Sequence, residues 1–305
     1  MGNLKAHLAL LIVNVIYALS YGYSKHVMPT FLPPFSFILI RVLGATLLFW
    51  LLIFFSKKEK IKGADWPILM LCGLFGVAAN QLMFFEGLSN TYAINASVIM
   101  VATPLIVLIL SRLFLGEKMV LQKVVGVGIG MTGAILLIVS RMGALGGFSG
   151  YGDLMILLNA SSYGVYLVLV KPLMKKYNPI TVIRWSFTFG LLIVLPFGLA
   201  QWGSINWEMS FSEYWRIGFI VLATTFFTYL LTVYSLGKVS PTIVSAYIYV
   251  QPILATLIAV ITGSEELEPF VVVYGLMIFL GVFLVSVPIK KKVVNEVLNE
   301  DILDN

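Results

Sequence analysis

An ionisable residue inside a long apolar stretch is costly to bury, so each one marks a cavity, a partner or an interface. Glu86, in Phe84-Phe85-Glu86-Gly87, is the most informative. Its carboxylate can exchange a proton or receive an ammonium group. As a structural group it would sit at an interface or pair with Arg41 or Lys25. Arg41 and Arg184 each stand about two turns inside an apolar run and can grip a carboxylate bidentately, although residues so placed more often snorkel or pair. A repeated position favours an architectural role. Lys25 and Lys171 end such runs, where snorkelling to the interface is the simpler reading.

Uncharged candidates fall at helical spacing, where i, i+3, i+4 and i+7 share a face that need not meet lipid. Asn14, Tyr17 and Tyr21 form one stripe, and Asn159, Ser162, Tyr163 and Tyr166 form another. Thr225, Thr228, Thr232 and Ser235 form a third, and Ser245, Tyr249 and Pro252 a fourth. Asn80, Gln81, Asn95 and Gln251 add amides. Amides and tyrosines together can hold both ends of a zwitterion without a full charge, while the same groups also serve ordinary interhelical hydrogen bonding. Pro104 and Pro252 each free a backbone carbonyl, which bends a helix or lines a cavity.

Other chemistries find no support. Cys72 is the single cysteine, and His7 and His26 are too isolated to build a zinc site, so no metal is expected. Gly126, Gly128, Gly130 and Gly133 lack the order and strand context of a dinucleotide loop and read as close helix packing. Without a Walker sequence, ATP-driven pumping by this chain alone is not expected, and neither is a cofactor. No nucleophile and base stand at catalytic spacing, so an enzyme is not expected.

The elements that hold these residues are membrane spans. With 305 residues, 60% hydrophobic and 11% charged, and a mean hydropathy of +0.98, the chain takes lipid as its main solvent. At about 30 residues per span and loop, this length holds about ten spans and no sizeable extramembrane domain. Apolar runs predict spans near 4–27, 33–55, 66–86, 93–114, 121–140, 152–171, 179–201, 213–236, 241–262 and 269–289. The first run, after Lys5, resembles a signal peptide but lacks a small-residue cleavage site, so it is read as a retained span.

The net charge of +6 does not indicate a nucleic-acid partner, because the basic residues lie in short clusters between spans. With the N-terminus in the cytoplasm, Lys5, Lys57, Lys58, Lys60, Lys62, Arg112, Lys118, Lys123, Lys171, Lys175, Lys176, Lys238 and Lys290 to Lys292 fall inside. Only Lys25, Arg141 and Arg216 lie near outside ends. The positive-inside rule therefore predicts both termini in the cytoplasm of a multi-pass protein, in a bacterial inner membrane. Trp202 and Trp207 suit an interfacial belt.

The halves repeat. Tyr17, Lys25 and Met28 match Tyr163, Lys171 and Met174 at an offset of 146, and Arg41 matches Arg184 at 143. Leu88, Ser97, Pro104, Glu117 and Gly133 match Leu236, Ser245, Pro252, Glu265 and Gly281, all at 148. An odd number of spans per half inverts the second copy, which supplies a route to alternating access. The expected organisation is an all-α integral membrane fold: a five-helix repeat over 1–148, its inverted copy over 149–289, and a short acidic cytoplasmic tail over 290–305.

The stretch Gly87-Leu88-Ser89-Asn90-Thr91-Tyr92-Ala93, then Asn95-Ala96-Ser97, Pro104 and Gly116-Glu117, resembles the EamA module of the drug/metabolite transporter superfamily. Leu236-Gly237-Lys238-Val239-Ser240-Pro241, Ser245, Pro252 and Ser264-Glu265 echo it, with Ser264 in place of the glycine. The resemblance to the ten-span EamA family implies a basket of helices around a central cavity. It also implies cytoplasmic termini and movement of amino acids, related metabolites or xenobiotics, often outward. The leading expectation is a secondary transporter of small metabolites, its cavity formed chiefly by spans 1, 3, 4, 6, 8 and 9, with a proton through Glu86 as a possible coupling ion. The alternatives are a non-transporting sensor or assembly component, and a drug or lipid exporter on the same fold. Cargo, direction and oligomeric state are not legible.

Overall fold

The structure is a computed structural model that describes residues 2–28, 30–55, 59–142, 150–261 and 269–287. The described residues form ten spans. In the first half they are α1 (Gly2–Val27), α2 (Pro34–Leu51), α3 (Gly63–Ser89), α4 (Ala93–Met100 with Thr103–Leu115) and α5 (Leu121–Met142). The second half holds α6 (Gly150–Leu173), α7 (Pro179–Ala200), α8 (Phe211–Leu236), α9 (Pro241–Ala246, a tight turn at Tyr247–Tyr249, then Val250–Ile261) and α10 (Pro269–Ser286). Nine are long and apolar enough to cross a membrane, whereas α1 carries a shorter apolar stretch, Leu4–Ser20. At 26 residues α1 is nonetheless about 39 Å long, and its polar residues lower its hydropathy because one face lines the interior. Ten antiparallel spans bring the start of α1 and the end of α10 to one face of the bundle, here the terminal face.

Helix ends follow local chemistry. Pro34, Pro179 and Pro241 open α2, α7 and α9 within the first turn, where their missing N–H has no intrahelical acceptor to lose. The Asn178 side chain caps α7 by accepting from Ile180 N–H, and Ser210 with Glu213 forms a capping box at α8. Gly116 ends α4 at φ +64°, a conformation that penalises any side chain.

The spans agree with the sequence pattern to within a few residues, and two interruptions stand out, of which the π segments were not predicted while the breaks lie at the prolines expected to bend their helices. First, Leu74–Ala78 in α3 and Ile220–Phe227 in α8 are π-helical. Secondly, α4 is broken at Val101 and Ala102, whose N–H groups reach Val98 and Ile99 in tight turns, just before Pro104. A similar tightening at Tyr247–Tyr249 precedes Pro252 in α9.

The glycines expected to allow close packing do so between α5 and α10. A Cβ on Gly281 would lie 2.6 Å from the Gly130 backbone, and one on Gly126 would lie 2.9 Å from the Gly281 carbonyl oxygen. Only backbones without side chains can approach this closely. Along α2, α3 and α7 the filler is aromatic: Trp50, Trp66, Trp185 and Phe189 stack edge to face or tilted at 4.7–6.1 Å.

Candidate functional site

Midway through the bundle, α1, α2, α3, α6 and α8 bring their polar side chains together. Tyr17 and Tyr163 stand beside each other and beside Tyr229, with Tyr166 next in the same group. Tyr17 and Tyr163 are each partly buried and keep some accessible surface. Thr228 lies beside the Tyr17 hydroxyl.

The π segments build the walls. Because a π turn shifts the hydrogen-bond ladder, it leaves carbonyls for other partners. The Tyr229 hydroxyl donates to Gly76 O at 2.9 Å and the Ser162 hydroxyl to Phe75 O at 2.8 Å, so α8 and α6 both dock on the π segment of α3. Tyr166 packs its ring on Gly76, where a side chain would overlap it. Asn159 donates its amide to Asn80 O and leaves its own oxygen buried and unpartnered. In α8 the Thr225 hydroxyl donates to Ile220 O at 3.0 Å, five residues back.

Arg41 enters this group from α2. Its Nε–H donates to Thr225 Oγ1 at 3.2 Å, and its guanidinium lies over Phe37 at 5.5 Å and Phe85 at 5.8 Å. Gln81 sits beside Tyr229 without reaching hydrogen-bond geometry, so both ends of its buried amide lack a partner. Such an amide costs about 1–3 kcal/mol unless something completes it. A cation, an open amide and several phenol hydroxyls in one cluster can bind a polar solute.

Several expected residues stand elsewhere. Glu86 is at the far end of α3, within 3.3 Å of Asn90 Nδ2 and of the Tyr151 hydroxyl. It makes no ion pair with Arg41. Arg184, the sequence counterpart of Arg41, lies over Trp50 at 4.8 Å with its Nε buried and unpartnered. Lys171 donates to the carbonyls of Leu236 and Val239, closing α6 onto the end of α8 at the terminal face. Asn14 is buried and donates to Leu10 O at 2.7 Å within its own helix. Asn95 is buried in α4, Ser245 bonds Thr242 O, and Tyr249 packs on Gly130 of α5 with its hydroxyl unpartnered. The side chains of Tyr21 and Lys25, and Glu265 and Lys290 to Lys292, lie outside the described residues. α2 thus joins the site through Arg41, while the α4 and α9 residues named from sequence stay apart.

Tyr229 and the π segments escaped sequence reasoning. One signal existed: Gln81 and Tyr229 differ by 148 positions, as Tyr17 and Tyr163 differ by 146, so two matched pairs meet at the centre. A separate open groove of about 510 Å³ lies between α1, α9 and α10, lined by Leu11, Phe279, Phe283 and other apolar groups around a 2.8 Å hydrogen bond between His7 and Tyr247.

Residues 4–139 and 150–287 each match the EamA-like transporter family. An "Uncharacterized transporter" of Archaeoglobus fulgidus is 27% identical over 288 residues, covering 93% of this chain and 98% of its own length. A "Probable terminal-alkyne amino-acid exporter" of Streptantibioticus cattleyicolor is 26% identical over 230 residues, 74% of each chain. A solved structure titled "Crystal structure of protein" has the same fold, with a TM-score of 0.76 at 17% identity over 93% of this chain and 95% of its own. With two matches that together span nearly its whole length, ten membrane spans and a polar interior, this chain belongs to the EamA-like transporter family.

Proposed function

We propose that this transporter moves amino acids or closely related small metabolites, by alternating access of two inverted five-helix repeats around the central tyrosine group. The observation that carries this reading is the polar cluster itself: partly buried Tyr17 and Tyr163, the open Gln81 amide and Arg41 converge midway along the spans. A binding site at the midplane, on the axis relating two inverted halves, is where alternating access requires it. The meeting of matched positions, Tyr17 with Tyr163 and Gln81 with Tyr229, supports such an axis. So does the occurrence of a π segment in the third helix of each half.

The basic clusters support cytoplasmic termini, and the exporter named among the relatives supports amino acids as cargo and outward movement. The groove between α1, α9 and α10 does not favour a lipid or drug exporter, since it is apolar and separate from the polar group. Purified protein in proteoliposomes should give saturable flux of at least one amino acid or related acid from a broad panel. A panel without saturable flux, from protein that retains a cooperative thermal transition, would reject transport of this class.

A further inference from the structure

We propose that the group this transporter recognises is a carboxylate, received by the free edge of Arg41, on a cargo with an apolar or aromatic body, and that an α-ammonium is dispensable. The proposal rests on the transport reading above and names its cargo more narrowly.

Arg41 is 8% exposed and forms no ion pair among the described residues. Its Nε–H is committed to Thr225, whose own proton goes to Ile220 O, so the hydroxyl is fixed as an acceptor. Phe37 and Phe85 lie over the guanidinium. The edge bearing Nη1 and Nη2 is therefore what remains. Neither nitrogen makes a hydrogen bond among the described residues, and neither is among the fully buried polar atoms without a partner, so this edge is free to receive a ligand. Two parallel N–H groups at a fixed spacing match the two oxygens of a carboxylate.

Among the described residues, no carboxylate neutralises this charge. Asp65 pairs with Lys176, Glu117 with Lys123, and Glu213 with His26 and Arg216. Asp153 accepts from Thr91, and Glu86 from Asn90 and Tyr151. All of these lie near span ends. A positive charge midway across a membrane without an internal counter-ion is stabilised best by an anion that arrives. An ammonium, by contrast, meets no carboxylate there. It finds only phenol hydroxyls and the Gln81 amide, and competes with Arg41 for them.

The counterpart arginine separates this role from a shared architectural one. Arg184 packs on Trp50, away from the tyrosines, and has no hydroxyl tethering its Nε. Arg184 lies at the α2–α7 contact, whereas Arg41 reaches Thr225 of α8 beside the tyrosine group. Phenyl and tyrosyl rings around that edge suit an apolar body on the cargo.

Four compounds with one phenylpropyl body test this in proteoliposomes: phenylalanine, 3-phenylpropanoate, phenylalaninamide and 3-phenylpropanamide. The two carboxylates should compete for flux, or stabilise the protein thermally, within about fivefold of each other, and both amides should be weaker by roughly tenfold or more. Arg41→Gln should erase the preference for acid over amide, and Arg41→Lys should retain its sign with a smaller ratio. If Arg41→Gln fails to fold, Thr225→Val serves instead: it keeps the charge but frees the guanidinium, and should shrink the acid preference. Amides that match or exceed the acids, or saturable flux of a cargo without an anionic group that survives Arg41→Gln, would overturn the carboxylate proposal and leave transport standing. No saturable flux for any cargo in the wider panel would remove both.

Discussion

Gly76 has two duties at one position. Its carbonyl accepts the Tyr229 hydroxyl, and its missing side chain admits the Tyr166 ring. Gly76→Ala should therefore destabilise the protein by about 1–3 kcal/mol through overpacking, read as a lower thermal midpoint in detergent. An unchanged midpoint would mean that the ring withdraws freely. Glu86 carries the opposite lesson. The sequence offered it as a proton site or as an interfacial carboxylate, and it lies at the far end of α3 beside Asn90 and Tyr151. Glu86→Gln should keep flux within about twofold and leave its dependence on a pH gradient intact, because the residue stands outside the polar centre. Loss of that dependence would return Glu86 to the coupling path.

The helices were legible because apolar runs of membrane length leave few alternatives, and charged residues, prolines and glycines mark their ends. Their π-helical interruptions were not, although Pro104 and Pro252 signalled the breaks in α4 and α9. A π segment depends on where a shifted carbonyl finds a partner, and Phe75 and Gly76 find theirs in Ser162 and Tyr229, more than 80 positions away. No local pattern encodes that. Helical spacing put Tyr17, Tyr163 and Tyr166 on polar faces, and the structure brings these three together, whereas Tyr249 shared that signal and packs on Gly130. Periodicity gives a face but not the neighbour it meets. Pro104 shows how an interruption can be tested: it stands in the first turn of the second piece of α4, just after the break at Val101 and Ala102. Pro104→Ala should keep the fold, with stability altered by no more than about 1 kcal/mol at this first-turn position. Turnover should fall if the break moves during transport. Equal turnover in exchange assays would make the break static.

At the scale of the whole molecule, the terminal face is tied by polar contacts between the halves. Lys176 Nζ lies 2.6 Å from Asp65 Oδ1, and Tyr177 donates to the same carboxylate at 2.8 Å. Asp65 holds the Lys176 ammonium above the usual lysine range. A raised pKa stabilises the fold while the group is charged, so this contribution is complete below the unfolded lysine value of about 10.4 and is lost as pH rises through the folded value. The thermal midpoint of the native protein should converge on that of Lys176→Met as pH rises above the unfolded lysine value of about 10.4, by a small amount because the lysine is half exposed. A constant gap would show that packing, not charge, supplies the contact. The seam of α5 on α10 has a different consequence, one that concerns time. Gly126 and Gly130 leave the ribosome well before Gly281, and at 5–20 residues per second the wait is on the order of ten seconds. Until α10 arrives, the part of α5 that packs on Gly281 has no permanent neighbour. The bundle thus closes with a late latch, and a chain stopped before α10 presents quality control with an open glycine groove.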